Sequence, residues 1–317
     1  MSPRKIIIDT DPGIDDAMAI FYALESPELD VVGLTTVFGN HHVEVCTENA
    51  LNLLDIAGRS DIPVAQGSGR PLAQTYPGPA GHVHGDDGAG NLFLAPSEHR
   101  PLATSAAQFI VDTVMAAPGE ITLVPIGPLT NIALALILEP RLAANLAGIV
   151  LMGGNAFCPG NMTPAAEANI ANDPEAADIV FGADCPVVMA GLDVTEATIM
   201  SDDVLASMAT IDNPRAQHLA KIVPFYQAFH RLVDREGGIF IHDSTTITYL
   251  IAPQLFTTID CPVRVDCSQG LGRGKTYPAV RRSDRESAWS GRRPVTILTH
   301  VDAAAAVELE LSRLRSV

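Results

Sequence analysis

Residues 5–24 read KIIIDTDPGIDDAMAIFYAL, and this stretch decides the fold class. Its three consecutive isoleucines predict a buried strand, and Pro12-Gly13 predicts the turn that leaves it. The apolar residues from Ala17 to Leu24 then recur with helical spacing, which predicts a helix with one buried face. Along the rest of the chain, β-branched runs keep alternating with segments of helical period. This alternation is typical of βαβ units, so we expect an α/β protein with a mainly parallel sheet.

The remaining elements are predicted from the same two patterns. A second strand is expected at 31–37, and the helix after it should end at Gly58, a residue type that commonly follows the last helical turn. Asp173 before Pro174 predicts the N-cap of another helix. Further strands are predicted at 62–65, 121–126, 148–152, 186–190 and 294–299, and further helices at about 43–57, 214–236 and 302–314. Since no linker or repeat divides the chain, we expect residues 1–317 to form a single domain.

The composition narrows the class of protein further. The chain has 20 Lys and Arg against 37 Asp and Glu, a net charge of −17, which argues against nucleic acid as a partner. The Arg- and Gly-rich stretch 269–293 departs from this acidity, and we interpret it as a solvated hairpin or loop. No uncharged apolar run approaches the roughly 18 residues of a membrane span, and the N-terminus lacks the apolar core of a signal peptide. The five cysteines have no disulfide-framework spacing, which favours a reducing compartment. From these observations together we expect a cytoplasmic protein without a membrane partner.

Four carboxylates surround the turn after the first strand. Side chains alternate along a strand, so Asp9 and Asp11 should emerge on one face at its carboxyl end. Asp15 and Asp16 follow at the start of the helix. The mutual repulsion of these groups would be costly without a cation, and oxygen ligands favour Ca²⁺ or Mg²⁺. A single Asp here is more often a turn or cap residue, but four at the end of a parallel strand favour a ligand site.

One other motif shares this position in the chain. Phosphatases of the haloacid dehalogenase type also begin with a strand followed by Asp-x-Asp, which Asp9-Thr10-Asp11 would fit. Those enzymes usually continue with x-Thr or x-Val, whereas Pro12-Gly13 follows here. The match therefore fails where that motif is specific.

The stretch DTDPGIDDA at 9–17 resembles the signature of the nucleoside hydrolases, the inosine-uridine preferring family that cleaves ribonucleosides to base and ribose. Four further pieces match that family in order and spacing: TTVFGN at 35–40, VPIGPLTNIA at 124–133, LMGGN at 151–155 followed by Asn161, Glu167 and Asn169, and HD at 242–243. Together they run across most of the chain. The resemblance implies an open, mainly parallel sheet flanked by helices, a bound Ca²⁺ and a homodimer or homotetramer.

The resemblance also implies roles for particular residues. The calcium ligands that it implies are Asp11, Asp16, Asp243 and the backbone carbonyl of Ile126. The substrate contacts that it implies are Asp15 and Asn169 at the ribose hydroxyls, Asn161 and Glu167 at the 5′-hydroxyl, Met152 within LMGGN, and Asn40, which also orients the water.

The chemistry of N-ribosidic cleavage explains why such residues are needed. The sugar passes through an oxocarbenium-like transition state, so the site must supply a water nucleophile, nearby negative charge and stabilisation of the departing base. A calcium ion that binds the water together with the 2′- and 3′-hydroxyls would fix the geometry of attack. Asp11 beside that water is our candidate general base. His242 is our candidate for protonating or hydrogen-bonding the leaving base, and its position beside Asp243 favours this role over that of a structural histidine.

Three further residues are candidates for contacts with the base. His84 lies in HVHGDDG at 82–88, which resembles the family's HG loop, but a solvent-exposed turn would have the same composition. A zinc site of His82, His84 and the neighbouring aspartates is a weaker alternative, because no Cys/His pair has structural-site spacing. Tyr226 and His230 lie four residues apart, hence on one helix face, which is either a base contact or ordinary helix surface.

The main hypothesis is a calcium-dependent ribonucleoside N-glycosyl hydrolase with a broad or pyrimidine-leaning preference that covers inosine, uridine and cytidine. Its partner would be a small-molecule ribonucleoside, as in purine and pyrimidine salvage. Two alternatives are a hydrolase of another N-riboside, such as nicotinamide riboside, and a non-catalytic ribose-binding scaffold. The complete acidic set favours an enzyme, because a sugar sensor would not need Asp11 beside a water.

Overall fold

The structure is a computed structural model that describes residues 2–233, 237–281, 283 and 288–315. The strands in these residues are β1 Arg4–Thr10, β2 Leu29–Thr36, β3 Val64–Gln66, β4 Ile121–Pro125, β5 Gly148–Met152, β6 Val187–Ala190, β7 Ile199–Ser201, β8 Gly238–Phe240, β9 Phe256–Cys261, β10 Val263–Val265, β11 Thr276–Pro278 and β12 Val295–Val301. The helices are α1 Ile14–Leu24, α2 Val43–Ile56, α3 Gly81–His84, α4 Ala106–Ala116, α5 Thr130–Leu138, α6 Leu142–Asn145, α7 Ala168–Asn172, α8 Pro174–Phe181, α9 Leu192–Thr195, α10 Asp202–Met208, α11 Pro214–Leu232, α12 Ser244–Ile251 and α13 Ala303–Arg315.

The central sheet has eight strands in the order β3-β2-β1-β4-β5-β6-β12-β9. Its neighbouring strands are parallel except β9, which pairs antiparallel with β12 at one edge. The chain builds outward from β1 through β2 and β3, then returns to add β4 on the other side of β1. In open α/β sheets, ligands bind at the carboxyl ends of the strands beside such a reversal. The predicted open, mainly parallel α/β fold is confirmed, and its topology places a ligand site beyond β1 and β4.

The three isoleucines of β1 show how helices cover both faces of the sheet. Ile6 and Ile8 belong to the core that includes α1, α2 and α11, whereas Ile7 belongs to the core that includes α4, α5 and α8. All three side chains are fully buried, and burial of each contributes roughly 1.5–3 kcal/mol. A strand buried on both faces is a continuous apolar run, which explains the sequence of β1. The residues that follow β1 therefore start from a firmly packed strand.

Most predicted elements are present, with small shifts at their ends. Gly58 follows α2 with a φ of 66°, a left-handed conformation that glycine adopts without strain. Asp173 accepts a hydrogen bond from the N–H of Ala176 at 3.1 Å and so forms the predicted N-cap of α8. The patterns of apolar residues thus located both the buried strands and the helices that cover them.

The elements that were not predicted are short or lie at an edge. β9 is partly exposed along most of its length, so it lacks the continuous apolar run of the inner strands. Within the predicted hairpin or loop 269–293, β11 pairs antiparallel with β10, and residues 282 and 284–287 lie outside the described residues. The predicted helix 214–236 is α11, and its last three residues also lie outside the described part of the chain. None of the described helices has both the length and the hydropathy needed to cross a bilayer.

Candidate active site

Asp9 and Asp11 lie at the end of β1, and the structure gives them different roles. Asp9 Oδ1 accepts hydrogen bonds from Thr35 Oγ1 at 2.6 Å and from Asn131 Nδ2 at 2.7 Å, which come from β2 and α5. Asp9 is fully buried, and this burial raises its pKa to about 7. Its carboxylate therefore ties three elements of the scaffold together. Asp11, two residues later, lies beyond the strand.

Three other carboxylates converge beside the end of β1. Asp15, Asp16 and Asp243 are buried, and each offers an oxygen that lies within 4.8 Å of those of the other two. Asp15 and Asp16 are in the first turn of α1, whereas Asp243 immediately precedes α12. Because α1 packs against α12, residues that are far apart in the sequence meet here. No other group of three His, Cys, Asp or Glu side chains in the described residues has this geometry.

Asn40 connects Asp11 to this acidic group. Its backbone N–H donates to Asp11 Oδ2 at 2.7 Å, and its side-chain Nδ2 donates to Asp16 Oδ2 at 3.0 Å. Asp16 also accepts from Thr10 Oγ1 at 2.5 Å and from the N–H of Gly13 at 2.9 Å. These four hydrogen bonds fix the orientation of both carboxylates.

The acidic group has the properties of a site for a hard divalent cation. Asp11 Oδ1 and Asp15 Oδ1 are buried and accept no hydrogen bond from the described residues. A buried carboxylate oxygen without a donor is costly, and a bound cation would remove that cost. The candidate side-chain ligands are all oxygens, which suits Ca²⁺ or Mg²⁺ better than a metal that prefers nitrogen and sulfur. The residues present therefore fit the metal that the sequence predicts.

The pKa values of these carboxylates reflect their crowding. Burial raises the pKa of Asp15 and of Asp16 to about 6, and the charge of Asp15 adds to the shift of Asp16. Burial also raises the pKa of Asp11 and of Asp243, and the charges of the neighbouring aspartates add to both shifts. The cause common to all four pKa shifts is burial away from water, and repulsion between the anions adds to it for Asp11, Asp16 and Asp243. A bound cation would favour the ionised forms and lower these pKa values.

Three residues predicted to bind metal or ribose meet at the ends of β4 and β5. Asn169 Nδ2 donates to the carbonyl of Ile126 at 2.9 Å and to the carbonyl of Met152 at 3.2 Å. The backbone of Ile126 is itself fixed, because its N–H donates to the carbonyl of Asp9 at 2.8 Å. The structure therefore brings Ile126, Met152 and Asn169 into direct contact.

Glu167 and Asn161 organise the loop between β5 and α7. Glu167 is buried, and its carboxylate accepts from the N–H groups of Gly154 and Asn169, both at 2.8 Å. Its charge also contributes to the raised pKa of Asp243, so Glu167 lies near the acidic group. Asn161 is exposed, and its Oδ1 accepts from the N–H of Ala168 at 3.0 Å. Of this pair, Glu167 is thus the one buried against the acidic group.

The candidate base contacts lie in one cluster of rings. The rings of His84 and Tyr226 stack with centroids 5.6 Å apart. The rings of Tyr226 and His230 meet edge to face, with centroids 4.3 Å apart. The ring centroids of His230 and Phe240 are 5.3 Å apart, and those of Phe240 and His242 are also 5.3 Å apart. We call these five residues the aromatic wall. It contains all four aromatic residues that the sequence predicts at the base.

The aromatic wall borders the acidic group and is largely buried. The Tyr226 hydroxyl donates to Asp15 Oδ2 at 3.4 Å, which links α11 to the first turn of α1. His84, Tyr226 and His230 are each at most 5% exposed. The alternatives of a solvent-exposed turn for His84 and of ordinary helix surface for the other two are therefore wrong.

A backbone hydrogen bond determines the protonation of His84. Its Nδ1 accepts from the N–H of Ile14 at 3.1 Å, so the neutral ring carries its proton on Nε2. Burial lowers the pKa of His84 to about 4, which keeps the ring neutral near pH 7. His84 therefore has a hydrogen-bond donor at Nε2.

The alternative zinc site in this loop is not formed. Asp87 accepts from main-chain N–H groups of its own loop, and no group of His and Asp side chains in 82–88, all of it described, has the geometry of a metal site.

Three residues without a predicted role also shape the site. A Cβ at Gly39 would overlap Asp11 Oδ2, and a Cβ at Gly127 would overlap Asp11 Oδ1, so both must be glycine for Asp11 to keep its place. Both lie within segments already matched to the family, TTVFGN and VPIGPLTNIA. Thr195 Oγ1 lies 2.8 Å from Nδ1 of His242, 47 positions away. A contact across that separation leaves no local signal in the sequence.

Comparison with solved structures identifies the class of protein. The fold is similar to that of a plant nucleoside hydrolase, with a TM-score of 0.96 and 39% identity over 99% of this chain and 100% of that one. It is also similar to a purine-preferring ribonucleoside hydrolase from Gardnerella vaginalis, with a TM-score of 0.92 and 32% identity over 98% of each chain. The fold and the site thus define an N-glycosyl hydrolase.

Comparison of sequences identifies the family. Residues 6–308 match the family model described as inosine-uridine preferring nucleoside hydrolase. The chain is 46% identical to a probable uridine nucleosidase 2 of Arabidopsis thaliana, over 98% of this chain and 97% of that protein. It is 40% identical to the pyrimidine-specific ribonucleoside hydrolase RihA of Photobacterium profundum, over 98% of each. The chain belongs to the inosine-uridine preferring nucleoside hydrolase family, a family of metal-dependent hydrolases, and the predicted resemblance is confirmed.

Proposed function

We propose that the protein hydrolyses the N-glycosidic bond of ribonucleosides to free base and ribose, depends on Ca²⁺, and has a broad or pyrimidine-leaning range that covers inosine, uridine and cytidine. The observation that carries this proposal is the convergence of Asp15, Asp16 and Asp243 within 4.8 Å of one another. The pyrimidine preference is supported by relatives that are named uridine nucleosidase and pyrimidine-specific hydrolase. Such an activity would supply free bases for purine and pyrimidine salvage.

The metal would be held by Asp11, Asp16, Asp243 and the backbone carbonyl of Ile126. Support comes from the oxygen donors of this set and from the buried Asp11 Oδ1, which accepts no hydrogen bond from the described residues. Asp15 lies within the same group but is assigned to the ribose. When bound, the cation supplies positive charge that keeps these carboxylates ionised and makes a neighbouring water more acidic.

Asp11 would act as the general base at the sugar. It takes a proton from the attacking water, whose oxygen adds to C1′ as the C1′–N bond breaks. Asn40 holds the Asp11 carboxylate in place for this transfer and also orients the water. Asp15 and Asn169 would hold the ribose hydroxyls. The transition state carries more positive charge on the sugar than the substrate does, so the surrounding carboxylates stabilise it more strongly.

The 5′ end of the ribose would contact the loop that follows β5. Glu167 and Asn161 are assigned to the 5′-hydroxyl, with Met152 as a further contact to the substrate. This assignment is supported by Asn169, whose side chain donates to the carbonyl of Met152 and whose N–H donates to the carboxylate of Glu167. A sugar hydroxyl that loses water must find partners of this kind, because an unpaired buried hydroxyl is costly.

The aromatic wall would receive the base. His242 would protonate or hydrogen-bond the leaving base, since a neutral base departs more easily than an anion. His84 has its donor at Nε2, which suits a carbonyl oxygen such as those of uracil or cytosine. Tyr226 and His230 would supply ring surface against the base, as their mutual contact and burial support.

Ribose release from a panel of nucleosides, with and without chelator, tests this function. We expect release from uridine, cytidine and inosine, loss of release with EDTA, and recovery on addition of Ca²⁺. Release from nicotinamide riboside alone would instead favour a hydrolase of another N-riboside. Ribose binding without release from any nucleoside would favour the non-catalytic scaffold, and undiminished turnover after chelation would contradict the metal requirement.

We also propose that the protein is a cytoplasmic homodimer or homotetramer without nucleic-acid or membrane partners. The five cysteines are all free thiols, which fits a reducing compartment. Ile137 and Leu138 at the end of α5 are more than half exposed and could contribute apolar surface to a subunit contact. Light scattering of the purified protein would give the subunit number.

A further inference from the structure

The ring of His242 is bound on one side by a buried hydroxyl. His242 Nδ1 lies 2.8 Å from Oγ1 of Thr195, the last residue of α9. Thr195 is fully buried, whereas His242 is half-buried. The hydroxyl thus reaches the imidazole from the protein interior.

The segment that carries Thr195 is anchored to the loop after β5. The carboxylate of Asp193, two residues earlier, accepts from the N–H groups of Ala156 and Phe157, both at 2.7 Å. The N–H of Thr195 donates to the carbonyl of Gly191 at 3.1 Å within the turn of α9. The hydroxyl therefore sits on a short turn whose own position is fixed by strong, charge-assisted hydrogen bonds.

The same stretch of chain also holds the backbone that leads to His242. β7 pairs with β8 so that Ile199 lies opposite Phe240. The N–H of Ile241 donates to the carbonyl of Thr198 at 3.2 Å. Residues 195–201 therefore fix both the main chain before His242 and the orientation of its ring.

We propose that Thr195 is a positioning residue that orients His242 toward the leaving base. This inference rests on the proposed role of His242. With Nδ1 bonded to the Thr195 hydroxyl, Nε2 is the nitrogen that gives its proton to the base. The step starts from the protonated ring, whose Nδ1–H donates to Thr195 Oγ1. The electron pair of the C1′–N bond passes to the base as Nε2 gives up its proton, and the ring is left neutral with its proton on Nδ1. This hydrogen bond orients the ring and selects the nitrogen that acts, as the orienting partner of a catalytic histidine does in other enzymes.

The test compares Thr195→Val with Thr195→Ser in the full chain. Valine keeps the shape of threonine and removes the hydroxyl, whereas serine keeps the hydroxyl. For Thr195→Val we expect kcat with uridine to fall about 10- to 100-fold, the scale of loss from a misplaced reacting group, with a KM within about threefold of the parent value. With p-nitrophenyl riboside, whose leaving group needs little protonation, kcat should change by less than about threefold. Thr195→Ser should recover most of the activity on uridine.

Thr198→Val is the matched control. Thr198 is also buried in this segment, but its hydroxyl donates to the carbonyl of Val194 at 3.0 Å. Its loss should therefore affect the two substrates alike. Equal losses on both substrates for Thr195→Val, without rescue by serine, would show a merely structural role and overturn the inference. An unchanged kcat with uridine would overturn it as well.

His242→Ala in the same assays separates this inference from the proposed function. If His242→Ala selectively impairs uridine but Thr195→Val does not, the inference fails and the proposed role of His242 stands. If His242→Ala lowers turnover of both substrates equally, the inference about Thr195 and the proposed role of His242 both fail. Should circular dichroism show that Thr195→Val does not fold, Thr195→Ala against Thr195→Ser gives the same comparison.

Discussion

The two regions to which we assign the ribose and the base, here called the ribose end and the base end, are built in different ways. At the ribose end, three aspartates follow β1 within a short stretch of chain: Asp11, Asp15 and Asp16. Hydrogen bonds from Asn40 orient the carboxylates of Asp11 and Asp16. At the base end, the aromatic wall takes residues from α3, from α11 and from the segment that begins with β8. Its members meet mainly ring against ring. At the ribose end the carboxylates share their hydrogen-bond donors, whereas at the base end each ring has its own partner, as His84 has Ile14 and His242 has Thr195.

This difference corresponds to what the two parts of a nucleoside demand. Every ribonucleoside presents the same ribose, so one fixed arrangement of charges and hydrogen bonds serves all substrates. Bases differ in size and in their donors and acceptors, so the base end needs a surface that single residues can reshape. We therefore expect changes at the ribose end to affect all substrates alike and changes at the base end to depend on the leaving group.

Asp243→Asn should have the largest effect. It removes charge from the acidic group, and we expect kcat/KM to fall about 1000-fold or more for uridine and for p-nitrophenyl riboside alike. Even residues that only orient metal ligands typically contribute about 10- to 100-fold to metal affinity, so a direct ligand should contribute more. Asp112→Asn, at an exposed position on α4, is the control and should leave kcat/KM unchanged for both substrates. A loss confined to one substrate would break the distinction between the two ends.

His242→Ala should have the next largest effect, and a selective one. Turnover of uridine should fall about 100-fold or more, the usual scale for loss of a general acid. Turnover of p-nitrophenyl riboside should fall much less, since its leaving group departs without protonation. Steady-state kinetics on both substrates decide the matter, and equal losses would reject the proposed role.

Gly127→Ala tests whether the ribose end depends on the exact place of Asp11. The added Cβ would overlap Asp11 Oδ1, so the carboxylate must move. We expect kcat/KM to fall about 10- to 100-fold for both substrates, as for other small displacements of reacting groups. Gly270→Ala is the control, because the nearest atom to its added Cβ would be Ser268 Oγ at 3.4 Å, an ordinary contact distance. If Gly127→Ala retained full activity with both substrates, Asp11 would not need its observed position.

Glu310→Gln should give the smallest effect, on stability and not on turnover. The hydroxyl of Ser244, which follows Asp243, donates to Glu310 Oε1 at 2.9 Å. This hydrogen bond connects α13 to the segment that carries Asp243. Burial raises the pKa of Glu310 from its ordinary 4.5 to about 7. The protonated carboxyl therefore stabilises the fold fully below about pH 4.5, and this contribution is lost as the pH rises through 7.

Urea unfolding at pH 5 and pH 8 measures that contribution. Between these pH values the parent protein should lose about 2 to 3 kcal/mol of unfolding free energy relative to Glu310→Gln. Glu308→Gln, at an exposed position on the same helix, should behave like the parent. An identical pH dependence for Glu310→Gln and the parent would show that Glu310 does not titrate with folding.

Local patterns predicted the fold and the aspartates that follow β1, whereas Ile126, Asn169 and Asp243 were assigned to the ribose end only through the family resemblance. The isoleucines of β1 and the apolar face of α1 each lie within one short stretch, and the aspartates between them follow from the alternation of a strand. Asp9 shows the limit of that reasoning. The alternation of side chains along a strand predicts that Asp9 shares a face with Asp11, but Thr35 and Asn131 bind its carboxylate within the scaffold.

The sequence predicted the members of the base end but not their arrangement. The spacing of Tyr226 and His230 indicated one helix face, whereas the stacking of His84 on Tyr226 depends on how α3 packs against α11. The contact between Thr195 and His242 depends in the same way on the pairing of β7 with β8. Three-residue strands and long-range ring contacts have no periodic signal, so only the folded chain reveals them.

The position of the metal in the active enzyme tests the central claim most directly. An anomalous difference map from a crystal grown with Ca²⁺, using protein that hydrolyses uridine, would locate the ion. We expect one calcium ion bound by Asp11, Asp16, Asp243 and the carbonyl of Ile126, at about 2.3–2.6 Å from its oxygen ligands. An active protein whose ion lies elsewhere, or whose four candidate ligands surround no ion, would contradict the account.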